Sequence, residues 1–121
     1  MEIIKDKISI QNLKEMAEKM FGDLVKAMVD VEKEIIAVDA PMHADLLELL
    51  IEKENSEPKN LWGINIYPAK TARLPAGREN DFIEFDSIMN LKPDLGNRTR
   101  GVEDEDIRKK IIEIVKKHVF S

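Results

Sequence analysis

Cysteine is absent from the 121 residues, and histidine occurs only twice. The first absence excludes disulfides, thiol nucleophiles and cysteine-ligated zinc together. The second leaves no His-x-x-His or His-Glu-x-x-His spacing. No run of about 18 apolar residues occurs, so no transmembrane helix is expected. The opening Met-Glu-Ile-Ile-Lys-Asp-Lys has neither an apolar core nor a cleavage pattern, and the expected location is the cytoplasm. Positive charge is not in excess: 19 Lys and Arg face 24 Asp and Glu, a formal net charge of −5. No nucleic-acid or membrane partner is therefore expected. Internal repeats and low-complexity segments are missing as well.

What is present is the composition of a folded domain, 43% hydrophobic and 36% charged. The length suits one domain, which buries roughly two thirds of the surface its unfolded chain exposes. Lys and Glu supply most of the charge, a pattern shared with thermophilic proteins.

Periodicity places the elements. Ile3-Ile4 reads as a short opening strand. Ser9 is a suitable N-cap for a helix over 10–21, with Leu13, Met16, Ala17 and Met20 as its apolar stripe and Gly22 as its stop. Val25, Ala27, Val29 and Val31 alternate with polar residues, which predicts a half-buried strand. Residues 35–38 form a second strand after a turn at Glu32-Lys33, or the two are one bent strand. Residues 42–53 are ambiguous. Leu and Glu after Pro41 suit a helix, but the later half is read as a strand, placing Asp45, Leu47, Leu49 and Ile51 on one face. Residues 61–67 are a strand with Trp62, Ile64 and Ile66 on the core side and Gly63, Asn65 and Tyr67 on the other. Residues 69–80 read as a long exposed loop.

A strand over 82–91 follows, its odd residues Ile83, Phe85, Ser87, Met89 and Leu91 facing the core. The last helix runs over 103–119, acidic in its first turn and basic in its last, with His118 serving the negative end of the dipole. The sum is an α+β fold: a mainly antiparallel sheet of four to five strands with an N-terminal and a C-terminal helix on one face.

Polar chemistry concentrates in three places. If 61–67 pairs with 82–91, Asn65 and Tyr67 neighbour Glu84, Asp86 and Asn90. Two carboxylates at i and i+2 repel across about 7 Å, and a cation relieves them. Asn97, Arg98 and Arg100 lie in the loop Gly96-Asn97-Arg98-Thr99-Arg100-Gly101. Its spacing fits neither a Walker A loop nor a dinucleotide fingerprint, and the acidic helix start would repel a phosphate. The arginines therefore read first as countercharges to Glu84 and Asp86, and second as contacts for a small anion. His43 and Asp45 form the third place. A mixed His43, Asp45, Glu84 and Asp86 set has the chemistry of a divalent-ion site, but the spacing is not a metal signature, and no metal or cofactor is assigned. Ser87 lacks a nucleophile elbow, and Trp62 reads as a core anchor.

Several stretches also carry a family likeness: 20–27 (Met-Phe-Gly-Asp-Leu-Val-Lys-Ala), His43-Ala44-Asp45, 61–68 (Leu-Trp-Gly-Ile-Asn-Ile-Tyr-Pro), 83–87 (Ile-Glu-Phe-Asp-Ser) and 96–104 (Gly-Asn-Arg-Thr-Arg-Gly-Val-Glu-Asp). Together they resemble a small prokaryotic family known only as a domain of unknown function. The likeness spans nearly the whole chain and implies a compact single domain without an assigned activity. The expected function is a non-enzymatic binding or self-assembly module, a homodimer joined through a sheet edge or helix faces. The alternative is a small metal-assisted hydrolase using the His43 and carboxylate cluster.

Overall fold

The computed structural model describes residues 1–70 and 81–120. Most of the loop expected over 69–80 lies outside the described residues. Chain order gives β1 (Glu2–Ile4), β2 (Ile8–Ser9), α1 (Ile10–Met20), β3 (Val25–Asp30) and β4 (Ile35–Val38). Then come α2 (His43–Glu54), β5 (Leu61–Ile66), β6 (Ile83–Glu84), α3 (Glu105–His118) and β7 (Val119–Phe120). The main sheet has five strands in the order β1-β4-β3-β5-β6. All four pairings are antiparallel. The α+β expectation holds.

Local chemistry accounts for the helix ends. The Ser9 hydroxyl accepts from the Asn12 N–H at 3.0 Å, and Gly22 leaves α1 at a φ of 92°. Asp104 caps α3 by accepting from the N–H groups of Asp106 and Ile107. These caps satisfy donors that a helix start leaves unpaired.

The sheet is covered on both sides. One face packs Val29, Trp62, Ile64 and Ile66 against Leu13 of α1 and Ile111 and Ile114 of α3. The N- and C-terminal helices thus share a face, as the sequence suggests. The other face packs Met28, Ala37 and Leu61 against Leu46 and Leu50 of α2. This corrects two expectations. Residues 43–54 are helical throughout, because burial at His43, Leu46 and Leu50 follows helical spacing, and Asn55 ends the helix in the left-handed region. β3 is not half-buried, since α2 covers the side assumed to be wet and only Lys26 of its six residues escapes full burial. The β3–β4 connection is a tight turn held by Asp30, whose Oδ1 accepts from Glu32 and Lys33 and whose Oδ2 accepts from Ser56.

The chain ends are joined by a parallel pairing of β2 with β7. His118 sits just before β7, buried, with its ring nitrogens on the carbonyls of Asp6 and Glu34. It stands in the last turn of α3 as expected and adds this three-way tie.

The expected strand over 82–91 is also corrected: only Ile83–Glu84 pair with β5. The chain then turns at Ser87, whose hydroxyl accepts from the Met89 N–H, and makes short 3-10 turns at Ile88–Asn90 and Pro93–Leu95. A hydroxyl that bonds its own backbone two residues on competes with a ladder, and here it ends one. The predicted core face fails with it. Leu91 is exposed, and Asn90, assigned to the outer face, is fully buried.

Candidate functional site

The sheet register brings three polar residues into one row. Lys26 of β3 lies opposite Asn65 of β5, and Asn65 lies opposite Glu84 of β6. Glu84 Oε1 accepts from Asn65 Nδ2 at 2.8 Å and from the Tyr67 hydroxyl at 3.1 Å. Burial first, and then the Glu84 carboxylate, raise the Tyr67 phenol above its ordinary value. Asn65 Oδ1 is buried and has no hydrogen-bond partner among the described residues.

His43 opens α2 above this face. Its Nε2 lies 2.8 Å from the Ile64 carbonyl oxygen. A carbonyl only accepts, so Nε2 carries the proton and the neutral ring has its lone pair on Nδ1. A Cβ placed on Gly63 would lie 3.2 Å from His43 Cδ2, so the Cδ2–Nε2 edge faces β5. Nδ1 faces away from the sheet. Burial is the main influence lowering the His43 pKa, and the Lys26 and Arg100 charges add to it. The Ile64 hydrogen bond and Asp86 oppose them.

The segment 85–101 closes the other side. Arg100 Nε donates to Asp86 Oδ1 at 2.6 Å. Both side chains are well exposed, so the pair contributes only ~0–1 kcal/mol to stability. It uses Nε alone, and the two Nη groups have no partner among the described residues. The countercharge role expected for an arginine is thus met by Arg100 on Asp86, while Glu84 is held by Asn65 and Tyr67.

Of these groups Lys26, His43 and Arg100 line a cavity of about 180 Å³, together with Pro41, Met42, Ala44, Ile88 and Met89. Two cations and one histidine line it, and no carboxylate does. The start of α2 also forms part of the wall, and its N-cap residue Met42 supplies no capping side chain. The positive end of the dipole adds to the cationic character, and Asp45 in the same turn offsets part of it.

The other expected site residues lie elsewhere or serve as scaffold. Asp45 faces a separate groove with Met1, Glu48, Leu49 and Glu52, since two residues along a helix turn it away from His43. Asn90 accepts from Gly63 N–H at 2.7 Å and donates to Gly63 O and Arg100 O, both at 2.9 Å. Its side chain stands in for a missing strand residue. Asn97 donates to the carbonyls of Asn90, Thr99 and Gly101 and accepts from the Glu103 N–H. Both asparagines hold the segment that carries Arg100. Arg98 is exposed, and its backbone N–H donates to Glu103. Among the described residues no three His, Asp or Glu side chains are grouped to hold a metal ion.

Lys26 is the participant that sequence patterning misses. It reads as an ordinary outward residue of an alternating strand, and only the pairing of β3 with β5 sets it beside Asn65.

The fold and cavity define a small α+β domain with a cationic concavity on the α2 side of its sheet. The chain belongs to the protein family of unknown function DUF5674, whose match covers residues 2–118. No curated protein and no solved structure matches it.

Proposed function

We propose that the protein is a binding module for a small anion, held between the start of α2 and the 85–101 segment. One observation carries this reading. Lys26, His43 and Arg100 come from three distant parts of an acidic chain and meet in one cavity without a lining carboxylate. The Asp86 contact orients the Arg100 guanidinium and leaves its Nη groups for a ligand. The cavity is below the roughly 300–1,000 Å³ of drug-sized sites, so the ligand has few heavy atoms.

Sulfate is a suitable probe because its charge is constant near neutrality. Saturable chemical-shift changes in the resonances of Lys26, His43, Ala44 and Arg100 are expected on titration. Arg100→Gln should weaken binding about tenfold, the loss of one charge-assisted contact. The sign of the pH effect follows from His43. Its folded pKa lies below the ordinary value, which favours the neutral ring in the free site, and an anion favours the charged ring. Binding therefore takes up a proton, and sulfate affinity rises as the pH is lowered through the pKa of the anion-bound ring. An unsaturable response, or one unchanged in Arg100→Gln, rules the site out.

Self-association is the second reading, and the cavity rim favours it. Met42 and Ile88 are 60% and 57% exposed on the rim, and Leu91 and Leu95 are exposed as well. Exposed apolar groups of this kind mark contact surfaces when contiguous. Native mass spectrometry is expected to show a dimer that Ile88→Lys dissociates; a monomer at all concentrations removes this reading.

A further inference from the structure

The cavity offers an acceptor as well as donors, and this narrows the anion. His43 is 7% exposed and its ring is fixed by the Ile64 carbonyl at 2.8 Å, which uses Nε2–H. The remaining polar atom, Nδ1, has no hydrogen-bond partner among the described residues, and its ring edge is the one turned from the sheet. Lys26 and Arg100 line the same cavity, and their charged groups only donate. A ligand that satisfies all three carries an anionic group for the cations and a hydrogen-bond donor for the imidazole.

The charge of that donor is decided by its surroundings. An ammonium would meet Lys26, Arg100 and the positive end of α2, and the Asp86 carboxylate is already bonded to Arg100. A neutral hydroxyl meets no such repulsion. We infer that the ligand is a small hydroxy acid, its carboxylate on Arg100 and Lys26 and its adjacent hydroxyl donating to His43 Nδ1. This rests on the anion-site reading above and goes one step further. The apolar walls from Met42, Ala44, Ile88 and Met89 leave room for a short alkyl substituent rather than a second charge.

Acetate, glycolate and glycine share a carboxylate and differ in the neighbouring group, so titrating each into the full chain isolates the hydroxyl. Glycolate is expected to bind about tenfold more tightly than acetate, and glycine more weakly than glycolate. The two anions should also differ in pH response. Acetate affinity rises toward lower pH, as for sulfate, because Nδ1 takes a proton. Glycolate affinity changes less, because its hydroxyl needs the neutral ring. Lys26, Asp86, Arg100 and the α2 terminus are the charged or dipolar groups that act on that ring in both cases. Nitrogen NMR of His43 gives a readout independent of any variant: with glycolate at neutral pH, Nδ1 shifts as an acceptor while the ring stays neutral. If glycolate and acetate bind equally while sulfate binds, the hydroxyl assignment fails and the anion site stands. If none binds saturably, both fail.

Discussion

Gly63→Ala is expected to be among the most damaging single substitutions in this protein, although it adds one methyl group. The new Cβ would lie 2.6 Å from both Cβ and Oγ of Ser87 and 3.2 Å from the His43 ring. Neither neighbour has room to retreat. Ser87 is fully buried, and its N–H is bonded to the Arg100 carbonyl at 2.9 Å. His43 is held on the Ile64 carbonyl. The segment must therefore lift from β5, breaking the bonds between Asn90 and Gly63. Overpacking and lost buried hydrogen bonds together give a destabilisation of about 3–5 kcal/mol. The melting temperature should fall by roughly 10–20 °C, read by circular dichroism. A melting temperature near that of the parent would show that β5 and the 85–101 segment are not packed as described. Glycine is needed here for close approach, not for an unusual φ.

Asn90→Ala should be of similar size for a different reason. It opens little space but strands the Gly63 N–H and the Gly63 carbonyl, and it leaves the Arg100 carbonyl with the Ser87 N–H alone. Each buried group left unpaired costs about 1–3 kcal/mol, and a total of about 3–5 kcal/mol is expected after partial solvation. Asn90→Asp keeps the shape and the acceptor for Gly63 but sets a carboxylate against two carbonyl oxygens, so it should be no milder. Hydrogen exchange locates the effect. Protection should be lost at Gly63 and Ser87 while Met28 and Val29 in the centre of the sheet remain protected. Uniform loss across the sheet, or no loss at Gly63, would contradict a strand-substituting role. Either variant should also weaken sulfate binding, because Arg100 is carried on this segment.

Both substitutions bear on how the cavity is built. Lys26 of β3 lines it from the sheet, its near wall is the first turn of α2, and its far wall is irregular chain. That far wall keeps its shape through side-chain amides rather than a backbone ladder. Asn90 pairs with β5, and Asn97 ties Asn90, Thr99, Gly101 and Glu103 together. Arg100 is carried by these anchors, so a scaffold of side-chain amides sets the position of one cation. The exposed Asp86–Arg100 pair adds orientation and little stability.

The sequence by itself determined the elements whose signal is local. The Ser9 cap, the stripe through Leu13 and Ala17 and the acidic start of α3 lie within one helical turn of the atoms they act on. The alternation in β3 and β5 also follows from strand period. Tertiary structure alone decided the rest. Residues 43–54 fit both periods until α2 found an open sheet face to cover, and burial at His43, Leu46 and Leu50 selected the helix. Residues 85–91 alternate like a strand, yet the Ser87 and Asn90 side chains bond backbone and displace the ladder. The site depended most on tertiary structure. Asp45 left it because a helix, unlike a strand, turns i and i+2 apart. Lys26 entered it because sheet pairing joins residues 39 positions apart in sequence, Lys26 and Asn65. Such proximity is a property of register and layer order, which act across the fold and leave no mark in the local pattern around Lys26.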